Sequence, residues 1–331
     1  MGSKSDTLRN IKTRLSIFVV PNFISFNIEA YDFSKVVDLI RKNVKSSKLV
    51  IRSSAEDEDT NSSSSAGEYD SVLNIPLDSP EEIRKGVQTV ISSYKRKRQI
   101  LPNDEVMVQE MVQNINMSGV VFTHDLNTGA PYYVINYDDE SGFTDTVTSG
   151  NGEYSNRTIF IHRNSIKKLR SERFIKLLQA VQDLEQVMNS QYLDIEFALG
   201  KDLTPYLLQV RAITTQPNWN MSITNTIDTT LHGVQLFVKN KFERYRKIYG
   251  EATVFGQMPD WNPIEMIGRA PRALASSLYQ TLITDSAWSK ARSIMGYMTS
   301  TGEPLMVMLS GQPFIDTRLS FNSFLPKNTN P

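Results

Sequence analysis

Four residues near the middle of this 331-residue sequence have the types and spacing to do chemistry together. Asp194 and Glu196 are two apart in LDIEFALG, and Gln209 and Arg211 are two apart in PYLLQVRA. In a strand, side chains alternate between faces, so Asp194 and Glu196 share one face while Leu193, Ile195 and Phe197 take the other. If the two strands pair as a hairpin, two carboxylates, an amide and a guanidinium converge. Two adjacent carboxylates repel unless a cation sits between them, and carboxylate oxygens suit Mg²⁺, which completes its shell with nucleotide phosphates. A cross-strand ion pair on a solvated strand face fits the same spacing equally well.

A second constellation surrounds Arg52. It ends the apolar run Leu49–Arg52 and opens SSAEDEDTNSSSSAG, residues 53–67. Backbone N–H groups of Ser62 to Gly67 could cradle phosphate oxygens, with Arg52 as a planar clamp. The alternative is a polar loop with Arg52 paired to Glu56 or Asp57. Lys4 in GSK would by itself be ordinary surface. His124, His162 and His232 are the three histidines, and none sits in a metal-binding pair or a Ser/His/Asp pattern. There is no GxxxxGK[ST] loop and no GxGxxG, so the P-loop and Rossmann modes of nucleotide binding are not supported.

The elements that must position these residues are legible from periodicity. Residues 1–46 read as helix, strand, helix, with a β-branched run Ile17–Phe26 broken by Pro21. Tyr69–Ile75 reads as a strand. Ser79 is an N-cap for a helix opening at Pro80, with Glu81 and Glu82 at its positive end and Lys95-Arg96-Lys97-Arg98 at its negative end. A nucleic-acid or nuclear-localisation reading of that tetrad is weaker than a helix end. VMVQEMV, SGVVFT and YYVIN read as strands, residues 168–190 as an amphipathic helix, and Tyr192–Ala198 and Tyr206–Ile213 as closing strands. Gln216–Asn220 is the expected boundary. Beyond it, Phe237–Tyr249 and Ala273–Arg292 read as helical, and PFIDTRLSFNSFLP alternates like a strand and stops.

Composition mostly excludes. Lys+Arg and Asp+Glu are 36 each, which argues against a nucleic-acid binder working through a general basic field. Without cysteine there are no disulfides, thiolate metal sites or thiol nucleophile. There is no apolar run of about 18 residues and no signal core at the N-terminus, so no membrane partner is expected and the cytoplasm is the expected location. The length suggests two domains, possibly three.

Five stretches, in order, resemble the ATP-binding domain of the phosphoenolpyruvate synthase and pyruvate phosphate dikinase family, an ATP-grasp relative. They are GSKSDTL, VIRSSAEDEDTNSSSSAGEYDSVLNI, VMVQEMVQNINMSGVVFTHDLNTG, SGFTDTVTSGNGE and LDIEFALGKDLTPYLLQVRAIT. The resemblance implies an α+β fold, with a two-lobed ATP-grasp-like domain over 1–215 and a mostly helical partial central domain over 216–331. It implies ATP and Mg²⁺ as ligands. Lys4, Arg52 and Arg211 would meet phosphates, with Arg52 and Arg211 catalytic. Ser65 and Gly67 lie in its phosphate loop, and Gln109, Glu110, Met111 and Val112 in the hinge against adenine. Gln209 joins the phosphate face, and Asp194 and Glu196 hold the metal, which moves the metal reading ahead of the ion pair. Ala212 departs from the family, which has proline there, and Asp145 stands where a glutamate is usual.

FGQMPDWNPIEMIG, PRALASSLYQTLITDSAW and GQPFIDTRLSFNSFLP are similar to the central region of one subgroup, which resembles the L-glutamine kinase of bacterial capsular phosphoramidate synthesis. In the family, a histidine on a swivelling domain takes a phosphoryl group from ATP and carries it to a small-molecule acceptor, releasing AMP and phosphate. The Ser-His-Ala signature of that domain is absent from this sequence. The expectation is therefore an ATP-dependent phosphotransferase that is incomplete alone and meets its phosphohistidine domain in cis in longer relatives or in trans. Pyruvate is the alternative acceptor, and a non-catalytic nucleotide-binding or partner module the alternative class.

Overall fold

The computed structural model describes residues 2–55, 59–60, 63–64, 69–142, 157–213, 222–244, 248–257, 259–299 and 303–329. The chain divides into two compact units, Met1–Met221 and Ser222–Pro331. The boundary expected at Gln216–Asn220 lies outside the described residues.

The first unit opens with helix α1 (Lys4–Ile11), whose N-cap Ser3 accepts from the Asp6 amide. Strand β1 (Phe23–Asn27) and helix α2 (Phe33–Asn43) follow. Pro21 and the segment before it stay outside the ladder, so the strand is shorter than the apolar run Ile17–Phe26 predicts. Strand β2 (Lys48–Ser54) precedes two short strands, β3 (Asp59–Thr60) and β4 (Ser63–Ser64). Strand β5 (Ser71–Pro76) leads to helix α3 (Pro80–Lys97), capped by Ser79 as the sequence predicts. With β6 (Glu105–Glu110) these strands make an antiparallel sheet in the order β1-β6-β2-β5. Helices α2 and α3 cover one face, burying Val36, Ile40, Ile83, Val87 and Val90 against Leu49, Ile51, Val106 and Val108. The close approach is set by Gly86: a Cβ there would lie 2.5 Å from Ile75 and 2.9 Å from Ile51 side-chain carbons.

The basic tetrad is a tethered helix end. Arg98 grips the fully buried Asp104 with two bonds, Nη1 to Oδ2 at 2.8 Å and Nη2 to Oδ1 at 2.9 Å, and Arg96 pairs with Asp70.

The second sheet runs β11-β10-β7-β8-β9, all antiparallel: β7 (Ile115–Phe122), β8 (Tyr132–Asp138), β9 (Arg157–His162), β10 (Leu193–Gly200) and β11 (Pro205–Ala212). The edge strand β9 was not anticipated by periodicity; its Phe160 is exposed, so it lacks the alternation of a covered strand. A 3-10 turn at Arg163–Lys168 precedes helix α4 (Glu172–Met188), which starts four residues later than the pattern suggested. α4 and α1 pack on one face, with Leu8, Met117, Tyr133, Ile135, Leu177, Val181, Leu193, Ile195, Phe197 and Leu207 in one core. Met107 of the smaller sheet joins it, which ties the two sheets together. Beneath α4, Arg163 chelates Glu185 through bonds of 2.7 and 2.9 Å, and the Tyr133 hydroxyl donates to the same carboxylate at 3.1 Å.

In the second unit, helix α5 spans Ile223–Lys241, earlier than the expected Phe237–Tyr249. Its stop is set by long-range contact: buried Arg318 donates to the Lys241 carbonyl at 2.9 Å and the Glu243 carbonyl at 3.1 Å, filling the helix C-terminus with positive charge. Strand β12 (Phe255–Gly256), helix α6 (Pro263–Ile267) and helix α7 (Ala273–Tyr279) follow. A π turn at Gln280–Thr284 separates α7 from helix α8 (Ala287–Ile294). Strands β13 (Met306–Leu309) and β14 (Gln312–Asp316) form a three-stranded sheet with β12, and Asp316 caps helix α9 (Thr317–Asn322). The alternating tail of the sequence is thus strand and then helix. Trp288, Leu305, Met306, Ile315 and Leu319 make the core. Helices make up most of the described elements of this unit, beside one small three-stranded sheet.

The α+β class is what the structure shows. No helix among the described residues is long and apolar enough to cross a membrane.

A Cβ at Gly119 would lie 2.0 Å from the Asn136 carbonyl oxygen of the neighbouring strand. Gly119→Ala should lower stability by about 2 kcal/mol or more, read from a shift in denaturation midpoint. Burial, with the nearby Arg163 charge, pushes the His124 imidazole down to about 4, against a bond to the Gln191 carbonyl that favours its protonated form. The folded state therefore resists a proton that the unfolded chain accepts from about pH 6.5 downward. Stability should fall as pH drops from 6.5 towards 4, and melting curves of His124→Gln should show a shallower fall.

Candidate functional site

Strands β10 and β11 pair with Asp194 opposite Arg211 and Glu196 opposite Gln209. Leu193, Ile195 and Phe197 are fully buried in the core face, and Asp194 and Glu196 point away from it, as alternation requires. The register slips between Glu196 and Phe197, because Phe197 pairs with Leu207 and leaves Leu208 as an extra residue. Leu207 and Val210 both face the core, so Leu208 and Gln209 both face out. The bulge is what lets Gln209 and Arg211 share a face with the carboxylates.

The smaller sheet supplies the opposite wall. Leu49 and Ile51 face α2 and α3, so Val50, Arg52 and Ser54 face the other way. Arg52 reaches across: Nη2 donates to Glu196 Oε2 at 3.3 Å and Nη1 to the Leu208 carbonyl at 3.4 Å. Arg211 Nε donates to Asp194 Oδ2 at 2.7 Å. The four charged side chains are only 12–13% exposed. Both readings of the spacing meet here. Asp194 and Arg211 do form the cross-strand ion pair, but on a buried face rather than a solvated one.

The pairing is incomplete. Arg52 Nε, Asp194 Oδ1 and Gln109 Nε2 are buried without a hydrogen-bond partner. Each such atom costs about 1–3 kcal/mol, so native proteins rarely leave them without cause. Burial, opposed by Arg211 and assisted by the Glu196 charge, raises the Asp194 carboxyl above the usual carboxylate range. Its charge is thus a net burden on the folded chain above that raised value. A cation against Oδ1 would relieve it.

Mg²⁺ is commonly held by one or two carboxylates plus substrate phosphates, and the free Asp194 oxygen beside Glu196 fits that donor set. Among the described residues no group of three or more His, Asp or Glu converges.

Lys4 is the first residue of α1. Its neighbour Ser5 donates its amide to Ser54 Oγ at 3.0 Å, and Ser54 Oγ donates to Ser5 Oγ at 3.0 Å. The start of α1 is thereby pinned to the strand end that carries Arg52. Ser65, Gly67 and Asp145, with Glu56 and Asp57, lie outside the described residues.

The hinge residues divide in role. Gln109 is opposite Val50 and shares the Arg52 face. Met111 and Val112 are buried, Val112 with Ala198 and Leu208. The Glu110 carboxylate accepts from the Asn22 amide and Asn22 Nδ2, both at 3.1 Å, and from the Lys45 amide at 2.6 Å. That carboxylate is a strap joining three segments, a role no spacing rule signals. A cavity of about 550 Å³ opens beside it, lined in part by Lys12, Lys45, Met111 and Tyr206; neither Arg52 nor the carboxylate pair lines it.

The face therefore grades from an apolar end at Val112, Ala198 and Leu208 to a charged end at Asp194 and Arg211. His124 bonds the Gln191 carbonyl and stacks on Tyr192, and His162 caps the 3-10 turn; His232 lies on α5 in the other unit.

Residues 27–151 match the family described as pyruvate phosphate dikinase, AMP/ATP-binding domain. The match takes in Arg52 and Gln109–Val112, and it supports an ATP-binding module. No curated protein matches the chain. Among solved structures it is similar to D-alanine-D-alanine ligase from Helicobacter pylori, at 11% identity over 64% of this chain and 54% of that one, with a TM-score of 0.36. VanG D-Ala:D-Ser ligase from Enterococcus faecalis gives 13% identity, 64% and 53%, and 0.38. An ADP complex of the N5-carboxyaminoimidazole ribonucleotide synthetase purK gives 10% identity, 66% and 46%, and 0.37. The chain spans about half the length of these structures.

Glu110→Ala should remove the bonds to the Asn22 and Lys45 amides and lower stability by about 1 kcal/mol, read by chemical denaturation.

Proposed function

We propose that this chain is the Mg·ATP-binding module of a phosphotransferase. The observation that carries the reading is the graded face, where an apolar shelf runs into paired carboxylates and guanidiniums with polar atoms left open. Adenine would lie at the shelf of Val112, Ala198 and Leu208, with Gln109 offering its unpaired amide nitrogen. The triphosphate would meet Arg52 and Arg211, with Lys4 at the start of α1 beside the end of β2. Asp194 and Glu196 would hold Mg²⁺, which supplies charge neutralisation on the phosphates. The residues' own work is positioning and electrostatic stabilisation in a water-poor site, the usual division of labour in phosphoryl transfer.

The phosphoryl group would pass to a histidine on a swivelling domain and on to a small-molecule acceptor, with L-glutamine the acceptor that the central-region resemblance favours. The placement of the three histidines supports a carrier outside the described face, since none of them lies on it.

Calorimetric titration with Mg·ATP should show saturable binding. Asp194→Ala or Glu196→Ala should weaken its metal-dependent part by about 100-fold, the usual cost of one preorganised charged group. Unchanged binding in both variants would leave the pair a structural ion pair and overturn the reading.

A further inference from the structure

Each carboxylate proposed to hold metal is already held by a cation that is proposed to hold phosphate. Asp194 has Arg211 at 2.7 Å and Glu196 has Arg52 at 3.3 Å. The two pairs balance one another, two negative charges against two positive, on a face with little access to water. Burying charge is costly unless it is compensated. A divalent cation entering alone would have to share Asp194 and Glu196 with two guanidiniums it repels. A triphosphate entering alone would have to compete with the carboxylates for the same guanidiniums and would bring a large uncompensated negative charge. When both enter, the partners can exchange: carboxylates turn to metal, guanidiniums turn to phosphate, and no charge is left bare. The open atoms mark where the exchange begins, Asp194 Oδ1 for the metal and Arg52 Nε for a phosphate oxygen.

We infer that Arg52 and Arg211 are resident counter-ions for Glu196 and Asp194, so that divalent metal and triphosphate bind this face together and each binds poorly alone. The inference rests on the nucleotide reading above and adds to it an obligatory coupling between the two ligands. Arg52 and Arg211 act here as positioning residues: they hold the carboxylates in place until the metal arrives.

The test is a set of titrations on the full chain with Mn²⁺ alone, ATP alone, and Mn²⁺ with ATP, followed by the metal's magnetic resonance signal and by calorimetry. After subtraction of the Mn·ATP complex formed in protein-free buffer, metal affinity should rise about 10- to 100-fold when ATP is present, the usual size of coupling between two ligands. Arg52→Gln frees Glu196 and should strengthen binding of Mn²⁺ alone by about tenfold while weakening Mn·ATP. Arg211→Gln, which frees Asp194, should do the same and serves if the first variant fails to fold. Equal metal affinity with and without ATP would overturn the coupling while leaving the nucleotide reading intact. Metal-alone affinity unmoved in the folded variants would likewise overturn the counter-ion role. Failure of Mn·ATP itself to bind would overturn the nucleotide reading, and the inference with it.

Discussion

Two carboxylates and a guanidinium on one buried sheet face, met by a second guanidinium from the other sheet, are the constraint around which the first unit is organised. Such a face cannot be left to chance, because one unbalanced charge in a poorly hydrated site outweighs many ordinary contacts. Each supporting element acts on that balance. Strand β10 sets the carboxylates two apart, β11 brings Arg211 beside one of them, and β2 carries Arg52 across from the other sheet. The cores behind both sheets are aliphatic and aromatic packing, and they keep these strands from moving relative to one another. Helix α1 and Met107 close the gap between the sheets, so Arg52 and Glu196, 144 positions apart in sequence, are held at bonding distance.

The arrangement also separates what holds the fold from what is open for a ligand. Glu110, Asp104 and Glu185 are buried or half-buried acids whose oxygens are spoken for by amides or arginines. Asp194 differs in that one oxygen is left over. Acids of similar burial thus fall into two kinds, and the count of satisfied lone pairs tells them apart where composition cannot.

Much of this was legible in the sequence because it depends on period-two alternation. LDIEFALG and PYLLQVRA state which residues face the core, and Ser79-Pro80-Glu81-Glu82 states where a helix begins. What was not legible depends on contacts far apart in the chain. Nothing near Arg52 points to Glu196, and nothing near Glu110 points to Asn22 and Lys45. The end of α5 is set by Arg318, some 77 residues on, so local periodicity placed that helix too late. Strand β9 was silent because an edge strand with an exposed Phe160 lacks the signature of a covered one. The extra residue in β11 leaves no compositional trace at all.

That extra residue makes β11 a strand in two phases. Up to Leu207 its side chains keep one parity, and from Gln209 onward they keep the opposite one. Delete Leu208, and the strand would alternate regularly with every remaining residue keeping its face; insert one residue between Gln209 and Arg211, and Arg211 would be driven into the core. Most positions in a strand tolerate a change of side chain better than a change of count. Here the count itself is information: the slip can give up its one spare residue, but a residue added beyond it would turn the charged face over.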